Sequence, residues 1–242
     1  MGLKLFVDFD GTVTEEDVGN RFFEEFGGLG TREIVAAYRS GRISAQECFR
    51  RELDAVGDLP LAEAEQFVRA RPLRTGFVEF IGFCRQHQLE VTILSDGLDY
   101  YIDAILTHHG LETLPRLANR LVLLPPGGGP KAKTRIEFPY GDAECERCGC
   151  CKRNQMVTRS GEDDVICFIG DGFSDRCVAR YADIVFARGE LQTFCQDENI
   201  SYVPYQTFHD VTASLLRLLG RPSIKPRRQA QLRRRELFQR EP

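Results

Sequence analysis

The sequence lacks a long uninterrupted apolar run, and this absence excludes a conventional membrane-spanning helix. Such a helix needs about 20 mainly apolar residues, and no run in the 242 residues approaches that length. The first residues, MGLKLFVDF, also lack the extended apolar stretch and small-residue cleavage site of a signal peptide. We therefore expect a cytoplasmic protein without a membrane partner.

An excess of positive charge is also absent, which argues against nucleic acid as a partner. The formal net charge is −4 at pH 7 and the sequence pI is about 5.7, whereas nucleic-acid-binding domains usually carry a basic surface. The exception is a basic tail, residues 221–242, which holds eight Lys and Arg against two Glu. We interpret this tail as a solvated, partly disordered or frayed helical end; the alternative is an electrostatic docking arm.

Short apolar runs alternate with helical patterns along most of the chain. Residues 3–9 are typical of a parallel strand that is buried on both faces, and similar runs recur at residues 91–94, 165–169 and 184–187. Strands that alternate with helices indicate an α/β fold with a parallel, Rossmann-like sheet. From Pro125 to Cys151 the sequence predicts irregular structure.

The stretch that follows the first strand has helix starts and no strand signal. Ser44 and Glu47, for example, form a capping-box pattern ahead of an amphipathic run. A helical insertion at this point would fold over the carboxyl edge of the sheet, where α/β proteins bind ligands. We predict a catalytic core of residues 1–14 and 76–220, a helical cap of residues 15–75, and the basic tail.

Three of the predicted strands run directly into polar side chains. These are Asp8 and Asp10, then Ser95, Asp96 and Gly97, then Asp171 and Asp175. Parallel strands end at one edge of their sheet, so we expect these groups to converge, with Lys152 reaching them from a loop. Several carboxylates in one crevice repel one another, and Mg²⁺ with its oxygen ligands relieves that repulsion.

The same groups predict phosphoryl transfer to an aspartate. A lysine, a hydroxyl and glycine-exposed amides suit an anion with several oxygens, such as phosphate. Asp8 would be the nucleophile. Asp10, two residues further along an extended chain, points the same way and would act first as general acid and then as general base.

These motifs together resemble the four motifs of the haloacid dehalogenase superfamily. The matching stretches are DFDGT at 8–12, Ser95, Lys152 and GDGFSD at 170–175, and the helical insertion resembles that superfamily's type 1 cap. The resemblance implies Mg²⁺ held by Asp8, the backbone carbonyl of Asp10 and Asp171, with support from Asp175. The residues expected to bind phosphate are Thr12, Ser95, Asp96, Gly97 and Lys152.

A narrower resemblance suggests a substrate. The sequence CGCCK at 148–152 and the residues FAR at 186–188 are similar to bacterial methionine-salvage phosphatases that act on 2-hydroxy-3-keto-5-methylthiopentenyl-1-phosphate. The implied partner is a small phosphorylated metabolite, and the alternatives are phosphoserine and phosphocholine or phosphoethanolamine. Phosphoserine phosphatases hold the serine carboxylate with a cap arginine. We align that position with Glu52, although Arg50 and Arg51 are close.

Nine cysteines are present, and four of them form a cluster: Cys145, Cys148, Cys150 and Cys151. In a reducing compartment a dense cluster indicates metal binding or redox chemistry before a structural disulfide. A structural Zn²⁺, a redox-sensitive disulfide and simple packing are all open, and each would position Lys152. A non-catalytic binding protein that uses this cluster or the basic tail is the alternative from a different functional class. The sequence does not indicate an oligomeric state.

Overall fold

The computed structural model describes residues 2–124, 129–142, 145 and 147–240. Its strands are β1 (Leu3–Val7), β2 (Leu59–Pro60), β3 (Glu90–Leu98), β4 (Arg116–Leu123), β5 (Lys131–Ala132), β6 (Thr134–Glu137), β7 (Val165–Gly170), β8 (Ile184–Ala187) and β9 (Val203–Pro204). Seven of them form one sheet in the order β6-β4-β3-β1-β7-β8-β9. Only β6 is antiparallel to its neighbour in this sheet. The predicted α/β fold with a Rossmann-like parallel core is confirmed.

Strand β1 lies at the centre of the sheet, between β3 and β7. Val7 is opposite Ile93 on one side and Ile169 on the other, and both pairings are parallel, so the carboxyl ends of the three strands lie at the same edge of the sheet. All six residues of β7 are buried, which explains the continuous apolar run that a strand covered on both faces requires. The chain therefore leaves all three strands at one edge, where Asp8 follows β1.

Eleven helices lie in the described residues. They are α1 (Val18–Gly27), α2 (Thr31–Arg39), α3 (Ala45–Val56), α4 (Leu61–Arg69), α5 (Phe77–Gln86), α6 (Asp99–His108), α7 (Lys152–Thr158), α8 (Arg176–Ala179), α9 (Gly189–Asp197), α10 (Phe208–Leu219) and α11 (Arg228–Arg240). Helices α1 to α4 follow the first strand, as expected for an inserted helical segment. Ser44 accepts a hydrogen bond from the N–H of Glu47 at 3.2 Å and so caps α3.

The structure corrects two sequence predictions about strands. Residues 134–137 were expected to be irregular, but they form β6, which pairs with β4. The cap segment was expected to have no strand, but the two-residue strand β2 pairs with β5 of the predicted core segment. Both are short and are fixed by pairing with another strand, so local patterns did not reveal them. Part of the predicted loop, residues 125–128, lies outside the described residues.

The basic tail is also different from its preferred interpretation. Helix α11 packs on the core through Ala230, which is fully buried, and through Arg234, which is 8% exposed. Arg234 donates to both carboxylate oxygens of Asp183, at 3.0 and 3.1 Å. The solvated interpretation is therefore wrong for this part of the tail. No helix in the described residues is both long enough and apolar enough to span a membrane.

Candidate active site

Lys152 joins two of the predicted strand ends. Its Nζ lies 2.5 Å from Asp8 Oδ1 and 2.6 Å from Asp175 Oδ1, and it also donates to Ser174 Oγ at 3.1 Å. The lysine side chain is only 3% exposed. A buried ammonium between two carboxylates is stable only because both charges are paired. The first turn of α7 thus brings a positive charge to the end of β1.

Three carboxylates gather at the same point. Oxygen atoms of Asp8, Asp171 and Asp175 all lie within 4.8 Å of one another. Asp175 Oδ2 accepts hydrogen bonds from the N–H groups of Asp171 at 3.0 Å and Gly172 at 3.1 Å, which fixes the loop after β7. Thr12, expected to bind phosphate, instead donates its hydroxyl to Asp171 Oδ1 at 3.1 Å. Its predicted phosphate contact stays a prediction.

The electrostatics of this cluster suit a divalent cation. Burial, and then the charge of Asp175, raise the pKa of Asp8 well above its usual range and that of Asp171 to about 6. Burial alone would lower the pKa of Lys152, but Asp175 and Asp8 outweigh it and raise that pKa. One ammonium does not offset three carboxylates. Converging carboxylate oxygens are ligands that Mg²⁺ prefers, so the donor set fits this ion.

A tight loop at residues 9–13 follows the nucleophile position and depends on Gly11. This glycine has φ of +73°, and a Cβ there would lie 2.6 Å from Asp171 Oδ2, so a side chain would push into the carboxylate cluster. Buried Arg74 holds the loop from behind by donating to main-chain oxygens. The acceptors are the carbonyls of Gly11, Thr12, Thr14 and Glu15, at 2.6 to 3.1 Å.

Asp10 has different neighbours from Asp8, although only one residue separates them. Its Oδ2 accepts hydrogen bonds from Tyr101 Oη at 2.9 Å and Ser95 Oγ at 3.3 Å, and its Oδ1 accepts one from the Gly19 N–H at 3.1 Å. Burial, and then the charge of Asp17, raise the pKa of Asp10 to about 7, against the lowering effect of Tyr101. A carboxyl group with that pKa can both give and take a proton near neutral pH.

The last residues of β3 place Ser95, Asp96 and Gly97 beside Asp10. The Gly97 N–H donates to Ser95 Oγ at 2.9 Å. A Cβ on Gly97 would lie 1.9 Å from Tyr101 Oη and 2.4 Å from Asp10 Oδ2, so only glycine fits. Asp96 turns instead toward the cysteine loop, where its Oδ1 accepts hydrogen bonds from the N–H groups of Gly149 and Cys150.

For the cysteine cluster, a structural metal, a redox-sensitive disulfide and simple packing were the open possibilities, and the described residues show contacts of the thiols with neighbouring protein groups. Cys150 Sγ contacts the carbonyl of Leu117 at 3.9 Å, and Cys151 Sγ lies 3.7 Å from Asp142 Oδ2. Cys145 is hydrogen-bonded by the thiols of Cys148 and Cys151, which lower its pKa. The structure gives no support to Zn²⁺ at these four cysteines. All nine cysteines are free thiols.

A cavity of about 420 Å³ lies between the strand ends and the cap helices. On the core side it is lined by Asp8, Asp10, Asp171 and Ser174. On the cap side it is lined by Phe23, Val35, Tyr38, Cys48, Phe49 and Glu52. Its size suits a small ligand. Arg50 and Arg51, the alternative positions for a cap arginine, are exposed, so Glu52 is the residue that faces this space.

Two residues that shape the site were missed by the sequence analysis. Tyr101 lies one helical turn into α6 and is fully buried, so it looks like an ordinary core residue in the sequence. Arg74 lies where the cap returns to the core, and its contacts are with main-chain oxygens that no side-chain pattern encodes.

Comparison with known proteins gives a consistent result for most of the chain. Residues 3–209 match the model of a family described as "Putative Phosphatase". The 2-hydroxy-3-keto-5-methylthiopentenyl-1-phosphate phosphatase of Bacillus mycoides (strain KBAB4) is 31% identical over 222 residues, or 90% of this chain and 98% of that protein. The phosphatase of the same name from Bacillus cereus (strain ZK / E33L) is 30% identical over 223 residues, which are 91% of this chain and 99% of that protein.

Solved structures resemble the fold at lower identity. A phosphoserine phosphatase captured as a phospho-aspartyl intermediate analogue has a TM-score of 0.67 at 18% identity, covering 88% of this chain and 99% of its own. The hydrolase t0658 of Salmonella enterica subsp. enterica serovar Typhi has a TM-score of 0.68 at 16% identity, covering 90% and 71%. At these identities the likeness concerns the fold.

Proposed function

The chain belongs to the haloacid dehalogenase superfamily and, within it, to the phosphatase family matched by residues 3–209; from this membership we propose an Mg²⁺-dependent phosphatase that forms an aspartyl-phosphate intermediate. The substrate would be a small phosphorylated metabolite. The observation that carries the proposal is the meeting of Asp8, Asp171 and Asp175 around Lys152 at the floor of the cavity.

The nucleophile in this proposal is Asp8. One of its carboxylate oxygens attacks the phosphorus atom, and the ester bond from phosphorus to the organic oxygen breaks. Lys152, 2.5 Å from Asp8 Oδ1, stabilises the negative charge on the transferring group, and its own charge lowers the pKa of Asp8 against the rise that burial causes. The bound Mg²⁺ would neutralise repulsion between the carboxylates and the phosphate, with Asp8, the Asp10 carbonyl and Asp171 as ligands and Asp175 in support.

Asp10 moves the proton in both steps. In the first step it gives its proton to the leaving oxygen, which departs as an alcohol. In the second step it takes a proton from water, whose oxygen attacks the phosphorus and breaks the bond to Asp8. Inorganic phosphate leaves, and Asp8 and Asp10 return to their starting states. A pKa of about 7 suits both transfers, and Tyr101, Ser95 and the Gly19 N–H hold the carboxyl group in place.

The named relatives supply the first metabolite to test. Their name gives 2-hydroxy-3-keto-5-methylthiopentenyl-1-phosphate as the substrate. Sequence identity of 31% over nearly all of both chains supports this metabolite as a candidate substrate here, and with it a role in methionine salvage. Phosphoserine is a weaker candidate. Glu52 occupies the cavity wall where a carboxylate-binding arginine was sought, and Arg50 and Arg51 are exposed.

The proposed reaction is tested with p-nitrophenyl phosphate, an ester that needs no specific cap contact. Hydrolysis should require Mg²⁺, should stop on addition of a chelator, and should return when Mg²⁺ is restored. Asp8→Asn should abolish turnover, whereas Asp103→Asn, a change to a surface carboxylate paired with Arg116, should leave it intact. Wild-type protein that binds Mg²⁺ but never releases phosphate would support the non-catalytic alternative instead.

A further inference from the structure

One carboxyl group on the cap side of the cavity has no positive partner in the residues that the structure describes. Glu52 lies on α3, lines the cavity and is 3% exposed. Its polar contact is the thiol of Cys48, whose Sγ lies 3.6 Å from Oε2. A thiol is a weak donor and carries no charge. Burial raises the pKa of Glu52 to about 8, and the charge of Asp17 adds to the rise.

The two arginines that border the cavity are engaged elsewhere. Arg39 pairs with Glu190 at 2.5 Å, and Arg188 donates to the carbonyl of Gly11 at 3.1 Å. Asp17, which lines the same cavity, makes the surroundings of Glu52 more negative. The cap side of the cavity therefore holds a buried carboxyl group that pairs with no cation among the described residues. Burial disfavours its ionised form, and a cationic ligand that paired with it would favour ionisation.

Aromatic side chains line the same cavity as Glu52. They are Phe23, Tyr38 and Phe49, and Phe49 lies on the same helix as Glu52, α3. Aromatic faces attract cations, and the attraction grows when water is excluded. A carboxylate next to aromatic walls is a suitable environment for an organic ammonium group. It is a poor one for a carboxylate, which Glu52 and Asp17 would repel.

We propose that Glu52 is a specificity-determining residue that pairs with an ammonium group on the organic part of the substrate. The substrate class is then a phosphate monoester of an amino alcohol, with phosphate at Asp8 and the cation at Glu52. The inference rests on the proposed function and adds to it the chemistry of the leaving group. It also distinguishes this chain from the named relatives, because the name of their substrate contains hydroxy, keto and methylthio groups and no amine.

Two esters of equal shape test the charge directly. Phosphocholine carries a quaternary ammonium group, and 3,3-dimethylbutyl phosphate replaces that nitrogen with carbon. We expect wild-type kcat/KM to favour phosphocholine by at least about tenfold, the size of one cation–π contact strengthened by a carboxylate. Glu52→Gln should bring the ratio of the two kcat/KM values close to one. Glu47→Gln, a change on the same helix to a carboxylate that pairs with Arg51 in solvent, should leave the ratio unchanged.

Binding of the alcohol product separates this inference from the proposed reaction. Choline should bind wild-type protein at least about tenfold more tightly than 3,3-dimethylbutanol by calorimetry, and Glu52→Gln should remove the difference. Thermal unfolding of Glu52→Gln checks that the variant is folded. The inference is overturned if wild-type protein has equal kcat/KM for the charged and neutral esters, or equal affinity for the two alcohols. This holds even when p-nitrophenyl phosphate is hydrolysed. Failure of Mg²⁺-dependent aryl phosphate hydrolysis overturns the proposed function, while choline binding still decides the role of Glu52.

Discussion

The side chain of Asp96 accepts a hydrogen bond from the backbone N–H of Cys150, with oxygen and nitrogen 2.7 Å apart. The same oxygen accepts a second bond from the Gly149 N–H at 2.8 Å. Burial raises the pKa of Asp96 to about 6, so this carboxylate is ionised at neutral pH and its bonds are charge-assisted. It thus ties the end of β3 to the loop that leads into Lys152.

Replacing Asp96 with Asn should therefore act on Lys152 at a distance. Loss of the charge weakens two backbone contacts, each worth about 1.5–3 kcal/mol for an ionised acceptor. We expect kcat/KM for p-nitrophenyl phosphate to fall by about 10- to 100-fold with little change in Mg²⁺ affinity. The matched control is Asp99→Asn, because Asp99 also accepts from a backbone N–H, that of Leu121 at 2.9 Å, but not near Lys152. Equal losses in both variants would contradict a role in positioning the lysine.

Tyr101→Phe should change the pH profile of the first step. The hydrogen bond from Tyr101 lowers the pKa of Asp10, so its removal raises that pKa. Because Asp10 must be protonated to release the alcohol, the alkaline limb of kcat/KM should move to higher pH. Tyr100→Phe is the control, since Tyr100 is the adjacent residue and has no contact with Asp10 among the described interactions. A limb that stays in place, or one that moves equally in both variants, would contradict this assignment.

Sequence patterns predicted the parts of the site that sit on strand ends. Asp8, Asp171 and Lys152 are identifiable because continuous apolar runs or a motif precede them. Tyr101 and Arg74 are not, because their roles depend on where a helix and a cap linker cross the strand ends. Strand β6 was missed for a related reason: its four residues are fixed by pairing with β4, not by their own composition. Features that depend on contacts between separate segments of the chain could not be predicted from local sequence patterns.

Glu52→Gln should stabilise the protein, and the gain should depend on pH. Folding raises the pKa of Glu52 from 4.5 to about 8, so the folded state binds more protons than the unfolded state between those values. Wild-type stability contributed by this group therefore falls as pH rises from about 4.5 to 8. Chemical denaturation should show that the free energy of unfolding of Glu52→Gln rises relative to that of wild type across this window. The difference should reach at most about 5 kcal/mol, at 1.4 kcal/mol per pKa unit. A constant difference at all pH values would argue against an unpaired carboxyl.

Arg234→Ala should destabilise the fold without affecting catalysis. The change leaves buried Asp183 with hydrogen bonds from the N–H groups of Ile166 and Arg227 but without its paired guanidinium. Loss of one partner of a buried ion pair costs about 3–5 kcal/mol. The neighbouring Arg235 is 65% exposed and lies 3.8 Å from an exposed Glu162, so Arg235→Ala should cost less than about 1 kcal/mol. Thermal unfolding and turnover of p-nitrophenyl phosphate should be measured for both variants. Similar melting temperatures for the two would contradict docking of the tail helix on the core.

The covalent intermediate is the central claim, and mass spectrometry of acid-quenched enzyme tests it most directly. Protein mixed with Mg²⁺ and substrate is quenched within milliseconds and digested with trypsin, which releases residues 5–21 as one peptide. We predict a phosphoryl group on Asp8 of this peptide that decays when the quench is delayed and is absent from Asp8→Asn. Full turnover with unmodified Asp8 at every quench time, or a phosphoryl group on another residue, would contradict the mechanism.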